Sequence, residues 1–136
     1  MAFVNSYYHN LDSKNRLFVP VRFRDQLGER FYIMPGPDNC LFVYPEATFE
    51  EIAEQYRKTH RDLDAQMVFY SNVKEATVDN QGRVSLDAEH VKHAELQKEV
   101  AVIGSGRRVV IKPLEKYRIT QAETAKAIDF SEDIDW

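Results

Sequence analysis

The segment Asp12-Ser13-Lys14-Asn15-Arg16 constrains this chain more than any other, because a second version of it, Asp79-Asn80-Gln81-Gly82-Arg83, stands 67 positions later. Each copy is preceded by residues of strand-forming type. Each is followed by a short apolar run, Leu17-Phe18-Val19 in the first case and Val84-Ser85-Leu86 in the second. Five residues rich in Asp, Asn, Ser and Gly between two such runs form a hairpin-loop signal. The fourth loop position holds Asn15 or Gly82, the residue types that most easily adopt positive φ. Both loops are therefore expected to bend the same way and to place an arginine at the far foot of the turn. Asp12 and Asp79 are expected to accept hydrogen bonds from loop amides as Asx-type turns.

The flanking elements repeat as well. Residues 2–11 read as a strand. After the first loop, Pro20 is placed to open a helix from Val21 to Leu27, with Phe23 and Leu27 on one face and Gly28 as its stop. Strands follow at 31–34 and 40–44, separated by the turn residues 35–39. Pro45 opens a helix whose apolar stripe is Phe49, Ile52, Ala53 and Tyr56. A shorter helix is expected over Leu63 to Tyr70. The order then restarts: a strand at 73–78, the Asp79 loop, a strand at 84–86, and a helix capped by Asp87 and running to Ala94. Strands at 100–103 and 109–111 flank the turn Gly104-Ser105-Gly106, and a helix opens at Pro113.

This order predicts a first repeat over 1–60, a linking helical segment over 61–72, a second repeat over 73–128, and a flexible acidic tail over 129–136. A half of about 50 residues cannot bury enough surface alone. The strands of the two halves must therefore pair or interleave around one core, related by a pseudo-twofold axis.

The formal net charge of −4 argues at first against a nucleic-acid partner. Four of the negative charges, Asp129, Glu132, Asp133 and Asp135, lie in the last eight residues, which hold no Lys or Arg. The remainder balances at 18 basic against 18 acidic residues. A neutral body can still carry a basic patch, since phosphate binding depends on where charge sits. No apolar run approaches the roughly 18–20 residues needed to span a membrane, so no membrane partner is expected. The N-terminus carries no basic segment followed by a long apolar one, so no signal peptide is expected. The single cysteine, Cys40, excludes an intramolecular disulfide and points to a reducing, cytoplasmic compartment.

Taken together, the paired Asp-x-x-x-Arg loops, the stretch Leu17-Phe18-Val19-Pro20-Val21-Arg22-Phe23-Arg24, and the segments Gly28-Glu29-Arg30-Phe31 and Asp38 to Pro45 resemble the MraZ family of bacterial transcriptional regulators. The resemblance covers nearly the whole chain. It implies an α+β fold: a double-repeat, swapped-hairpin β-barrel of the AbrB-like type with peripheral helices. It also implies a homo-oligomeric ring, octameric or dodecameric, and a cytoplasmic, nucleoid-associated protein. The implied function is binding to double-stranded DNA at G-rich direct repeats in its own promoter, upstream of the division and cell-wall gene cluster, usually as a repressor. Asn15 stands where the family usually has Gly, Asp87 where the second repeat often has Pro, and residues 64–70 lack the arginines many members carry there.

A guanidinium at a loop foot can pair bidentately with guanine O6 and N7, or with a phosphate. On this reading Arg16 and Arg83 approach DNA and Lys14 adds a phosphate contact. The competing reading is an internal Asp-x-x-x-Arg ion pair that only fixes the hairpin, and the two can coexist. Arg22 and Arg24 flank Phe23 on a short helix, so only one of them is expected to face DNA. Their second-repeat counterparts, Glu89 and Val91, are not basic, which makes the first half the expected DNA reader. Asp12, Asn15, Asp79 and Gly82 take the structural roles in the loops. Arg107 and Arg108 read as part of a surface turn. No Cys-x-x-Cys or His-Glu-x-x-His supports a metal site from His90, His93 and Cys40, and no cofactor motif or catalytic constellation stands out. The different-class alternative is an oligomeric scaffold, or an antitoxin-like binding module with weak DNA contact.

Overall fold

A computed structural model describes residues 1–125; the acidic tail at 129–136 lies outside the described residues. The elements are β1 (Ser6–Asn10), β2 (Arg16–Phe18), α1 (Val21–Leu27), β3 (Phe31–Gly36), β4 (Cys40–Pro45), α2 (Glu46–Thr59) and α3 (Leu63–Ser71). They continue with β5 (Lys74–Ala76), β6 (Arg83–Ser85), α4 (Ala88–His93), β7 (Glu99–Gly104), β8 (Val109–Pro113) and α5 (Leu114–Ala125). Apart from α3, every element of the first half has its counterpart in the second.

The halves interleave. β1 pairs antiparallel with β7, and its counterpart β5 pairs antiparallel with β3. β4 pairs with β8 across the pseudo-axis, and β2 pairs with β6. Only the hairpins β3–β4 and β7–β8 are made within a half. The result is a six-stranded sheet in the order β1-β7-β8-β4-β3-β5 and a two-stranded ribbon β2-β6. The α+β class and the exchange of strands between repeats are thus present. The hydrogen-bonded ladder does not run round as a closed barrel among the described residues, because β2 and β6 pair only with each other.

One apolar cluster lies between sheet and ribbon. It takes Leu17 and Val84 from the ribbon, Phe23 and Leu27 from α1, and Phe31, Ile33, Leu41, Val100, Val102, Val109 and Ile111 from the sheet. The alternation of strand side chains delivers these residues to one face. Phe23 is fully buried and meets Phe3 and Tyr7 edge-on, at centroid distances of 5.8 and 5.2 Å. A second cluster lies under α2, where Phe49 stacks on Tyr32 at 4.4 Å and Tyr56 stacks on Phe69 of α3 at 4.3 Å. α3 buries none of its residues fully, and Leu63, Met67 and Val68 stand exposed.

Two local expectations shift, and a third holds. Pro20 and Pro45 occupy the position just before α1 and α2 instead of the first helical position. Their fixed φ serves equally well there. The strand expected over 73–78 contracts to Lys74–Ala76, since β3 offers it only three paired residues, Phe31 to Ile33. Asp87 caps α4 as expected, accepting from Glu89 N–H at 2.8 Å.

Because Phe23 ties the first half to the N-terminal strand region, Phe23→Ala is expected to destabilise the whole domain by about 3–5 kcal/mol. Urea unfolding should show this as a lower midpoint in a single transition.

Candidate nucleic-acid interface

The two Asp loops fold alike, bond for bond. Asp12 Oδ1 accepts from the N–H groups of Lys14 (2.9 Å) and Arg16 (2.8 Å), and Oδ2 accepts from Arg16 Nε at 2.7 Å. Asp79 Oδ1 accepts from Gln81 and Arg83 N–H, both at 2.9 Å, and Oδ2 accepts from Arg83 Nε at 3.0 Å. The Asn15 and Gly82 amides donate to the carbonyls of Asp12 and Asp79 at 3.0 Å. Asn15 has φ 57° and Gly82 φ 78°, as their loop position required. The turn thus comes from a carboxylate that satisfies two backbone donors and orients one guanidinium.

These bonds perturb the carboxylates. The backbone N–H of Arg16 is the main cause holding the Asp12 carboxyl below its ordinary value; burial opposes it, and the Arg16 side chain and the Lys14 amide reinforce it. Asp79 is lowered in the same way, first by the backbone N–H of Arg83.

The ribbon brings the two loops together. Val19 N–H donates to Gly82 carbonyl at 2.9 Å, and Leu86 N–H donates to Asn15 carbonyl at 2.8 Å. Each loop is therefore anchored to the strand end of the other half. Arg83 Nη1 also reaches Asp12 Oδ2 at 3.7 Å. No matching Arg16–Asp79 contact occurs among the described residues, so Asp12 is flanked by two guanidinium groups and Asp79 by one.

The basic residues named from sequence now have places. Arg16 and Arg83 are half-buried at the loop feet, with side-chain exposures of 30% and 28%. Each presents its Nε to its own aspartate, which leaves the terminal nitrogens of Arg16 without a hydrogen bond among the described residues. Lys14 and Arg22 are exposed, and neither makes an ion pair among the described residues. Arg24 points elsewhere: its guanidinium lies against Gly82 and 5.2 Å from the Phe18 ring centroid. Lys14, Arg16, Arg24 and Arg83 thus lie on or against the two loops, beside Asp12 and Asp79.

The other candidates sit apart and have structural partners. Arg107 pairs with Glu51 at 2.6 Å, and Arg108 donates to Tyr44 Oη at 2.8 Å while stacking over Phe42. His90 and His93 hydrogen-bond through Nε2 to the carbonyls of Asn72 and Gly36, and Cys40 is buried with Sγ 3.1 Å from the Pro37 carbonyl. Sequence reasoning missed the Arg83–Asp12 contact and the turn of Arg24 toward the second loop. The repeat offset signals which loops correspond, but not which ones touch.

The family model described as "MraZ protein, putative antitoxin-like" matches residues 2–68 and again residues 69–134. The chain belongs to the MraZ family. A protein of Finegoldia magna named transcriptional regulator MraZ is 42% identical over 119 residues, covering 85% of this chain and 83% of its own length. One of the same name from Alkaliphilus metalliredigens is 43% identical over 113 residues, 80% of this chain and 79% of its own. Another, from Lactobacillus gasseri, is 36% identical and covers 98% of this chain and 96% of its own length. The two matched spans of the MraZ model divide the chain within α3, so each copy contains one Asp loop.

The depressed carboxylates give a pH prediction for this MraZ-family chain. A lowered folded-state pKa contributes stability that is present above the unfolded value, about 4, and is lost as pH falls through the folded value. The double variant Asp12→Asn/Asp79→Asn should be less stable than wild type at pH 7. Thermal melts should show the gap closing as pH drops below about 4; a gap of constant size would contradict the loop-carboxylate account.

Proposed function

We propose that this transcriptional regulator of the MraZ family binds double-stranded DNA through the face formed by its two Asp loops. The observation that supports the reading most is the cross-anchoring of those loops. It brings Lys14, Arg16 and Arg83, which come from distant parts of the chain, to the two ends of the three-residue β2–β6 ribbon, close enough for Arg83 Nη1 to reach Asp12 Oδ2 at 3.7 Å. Each aspartate takes the Nε of its arginine, and the terminal nitrogens of Arg16 make no hydrogen bond among the described residues. Two terminal N–H groups on one edge suit the paired acceptors O6 and N7 of guanine in the major groove. Lys14, exposed on the first loop, suits a phosphate oxygen as a point charge. Arg22, exposed on α1, suits a second phosphate.

The first loop is the stronger reader on this account, because it alone carries a lysine and is followed by Arg22. The second loop is flanked by Gln81, Asp87 and Glu89. The target we propose is a set of G-rich direct repeats in the promoter of its own operon, with repression as the outcome and the cytoplasmic nucleoid as the setting.

One such face holds few charges and should bind weakly. Assembly into a ring of identical subunits raises the effective concentration of the remaining faces once one has docked. The exposed Leu63, Met67 and Val68 on α3 support such assembly, since clustered apolar side chains at a surface mark association sites. Repeats spaced about one helical turn, roughly 10 bp, would meet successive subunits on one side of the duplex.

Fluorescence anisotropy with duplexes carrying one, two or three promoter repeats tests the proposal. Affinity should climb steeply with repeat number and fall as salt rises. Arg16→Ala should cost about 1–3 kcal/mol of binding and relax discrimination at the guanine positions. Affinity indifferent to salt, repeat number and Arg16 would instead favour an oligomeric scaffold.

A further inference from the structure

Arg24 belongs to the first half, in the middle of α1, yet its guanidinium ends on the second loop. A Cβ built at Gly82 would fall 2.8 Å from both Cζ and Nη1 of Arg24. The guanidinium carbon is also within cation–π range of Phe18, at 5.2 Å from the ring centroid. Arg24 Nε is buried without a hydrogen-bond partner. Leaving a donor desolvated and unpaired costs free energy, so the position needs packing in return, and Phe18 and the Gly82 backbone supply it.

The same contact bears on the difference between the two loops at their fourth position. Backbone conformation already favours glycine there, since Gly82 has φ 78° where Asn15 takes 57°. The contact adds a second reason: a side chain at position 82 would have to displace the Arg24 guanidinium. In the other half the residue equivalent to Arg24 is Val91, and the first loop keeps its asparagine.

We infer that Arg24 is a positioning residue. It braces the second loop from the opposite half and thereby sets the direction of Arg83, the residue next to Gly82. This inference rests on the DNA reading above, and it removes Arg24 from the set of phosphate contacts. It also makes the loops mechanically unequal. The second is wedged by a guanidinium from α1, while the first is held by its own Asp12 network, the Arg83–Asp12 contact and the Leu86 bond.

Two measurements on the full-length protein test this. Arg24→Met keeps the stem and deletes the guanidinium, and Gly82→Ala pushes on the guanidinium while deleting no charge. Without DNA, amide exchange at Gly82 should accelerate in Arg24→Met while exchange at Asn15 stays at the wild-type rate. With promoter-repeat duplex, affinity should fall by roughly tenfold, as for one misplaced charged contact. The slope of log affinity against log salt should match wild type. The double variant should lose less than the two single losses combined. A salt slope shallower by about 0.9 for Arg24→Met would make Arg24 a phosphate ligand and overturn the inference. Equal acceleration at Gly82 and Asn15, or full additivity, would overturn it too. If wild type shows no salt-dependent affinity, the DNA reading falls, and the exchange measurement still decides whether Arg24 braces the loop.

Discussion

The pairing of β2 with β6 is the contact on which the rest of the structure depends. Each strand has three residues, Arg16–Phe18 and Arg83–Ser85, and neither has another sheet neighbour among the described residues. Alone, such a strand leaves its backbone groups unpaired and its apolar residue exposed. Paired, the two strands satisfy each other, and Leu17 and Val84 stand opposite one another in the core. The bonds from Val19 to Gly82 and from Leu86 to Asn15 extend this exchange into the loops. Because β1 then runs to β7 and β5 to β3, neither half can complete its sheet without the other.

This interlock has a functional consequence. A hairpin loop with one arginine is a common surface feature, and an Asp-x-x-x-Arg ion pair is sufficient to explain it. Two such loops anchored on each other's strands form a composite face. Its geometry is fixed by backbone bonds rather than by long side chains. The aspartates have two tasks there: they close the turns, and each holds its arginine by the Nε. Pre-organised guanidinium groups lose less side-chain freedom on meeting a ligand than free ones do. The face is also asymmetric, because Asp12 meets both guanidinium groups and Arg24 wedges only the second loop. The duplication supplied two equivalent loops, and sequence divergence gave each different surroundings.

Much of this was legible in the residues. The loop duplication, the positive φ at positions 15 and 82, the Asp87 cap and the stripe Phe49–Ala53 follow from local stereochemistry, which a sequence states directly. The need for the halves to interleave followed from their size. What the chain order does not state is which strand meets which, since register is set by the joint packing of both halves. The open ladder, the shortening of β5, the Arg83–Asp12 contact and the inward turn of Arg24 all depend on that tertiary arrangement. Arg24 is the clearest case. By composition it belongs with Arg22 as a surface cation, and only the proximity of Gly82, 58 positions away, gives it a buried task.

The interlock is tested most directly by separating the halves. Residues 1–72 and 73–136 would be produced as two peptides and followed by circular dichroism and analytical ultracentrifugation, alone and mixed in equal amounts. The account predicts that neither peptide is a folded monomer. Mixing should restore a single cooperative unfolding transition, with the cross-half amides of Val19 and Leu86 protected from exchange. A half that folds by itself as a stable monomer, with those amides protected in the absence of its partner, would contradict it.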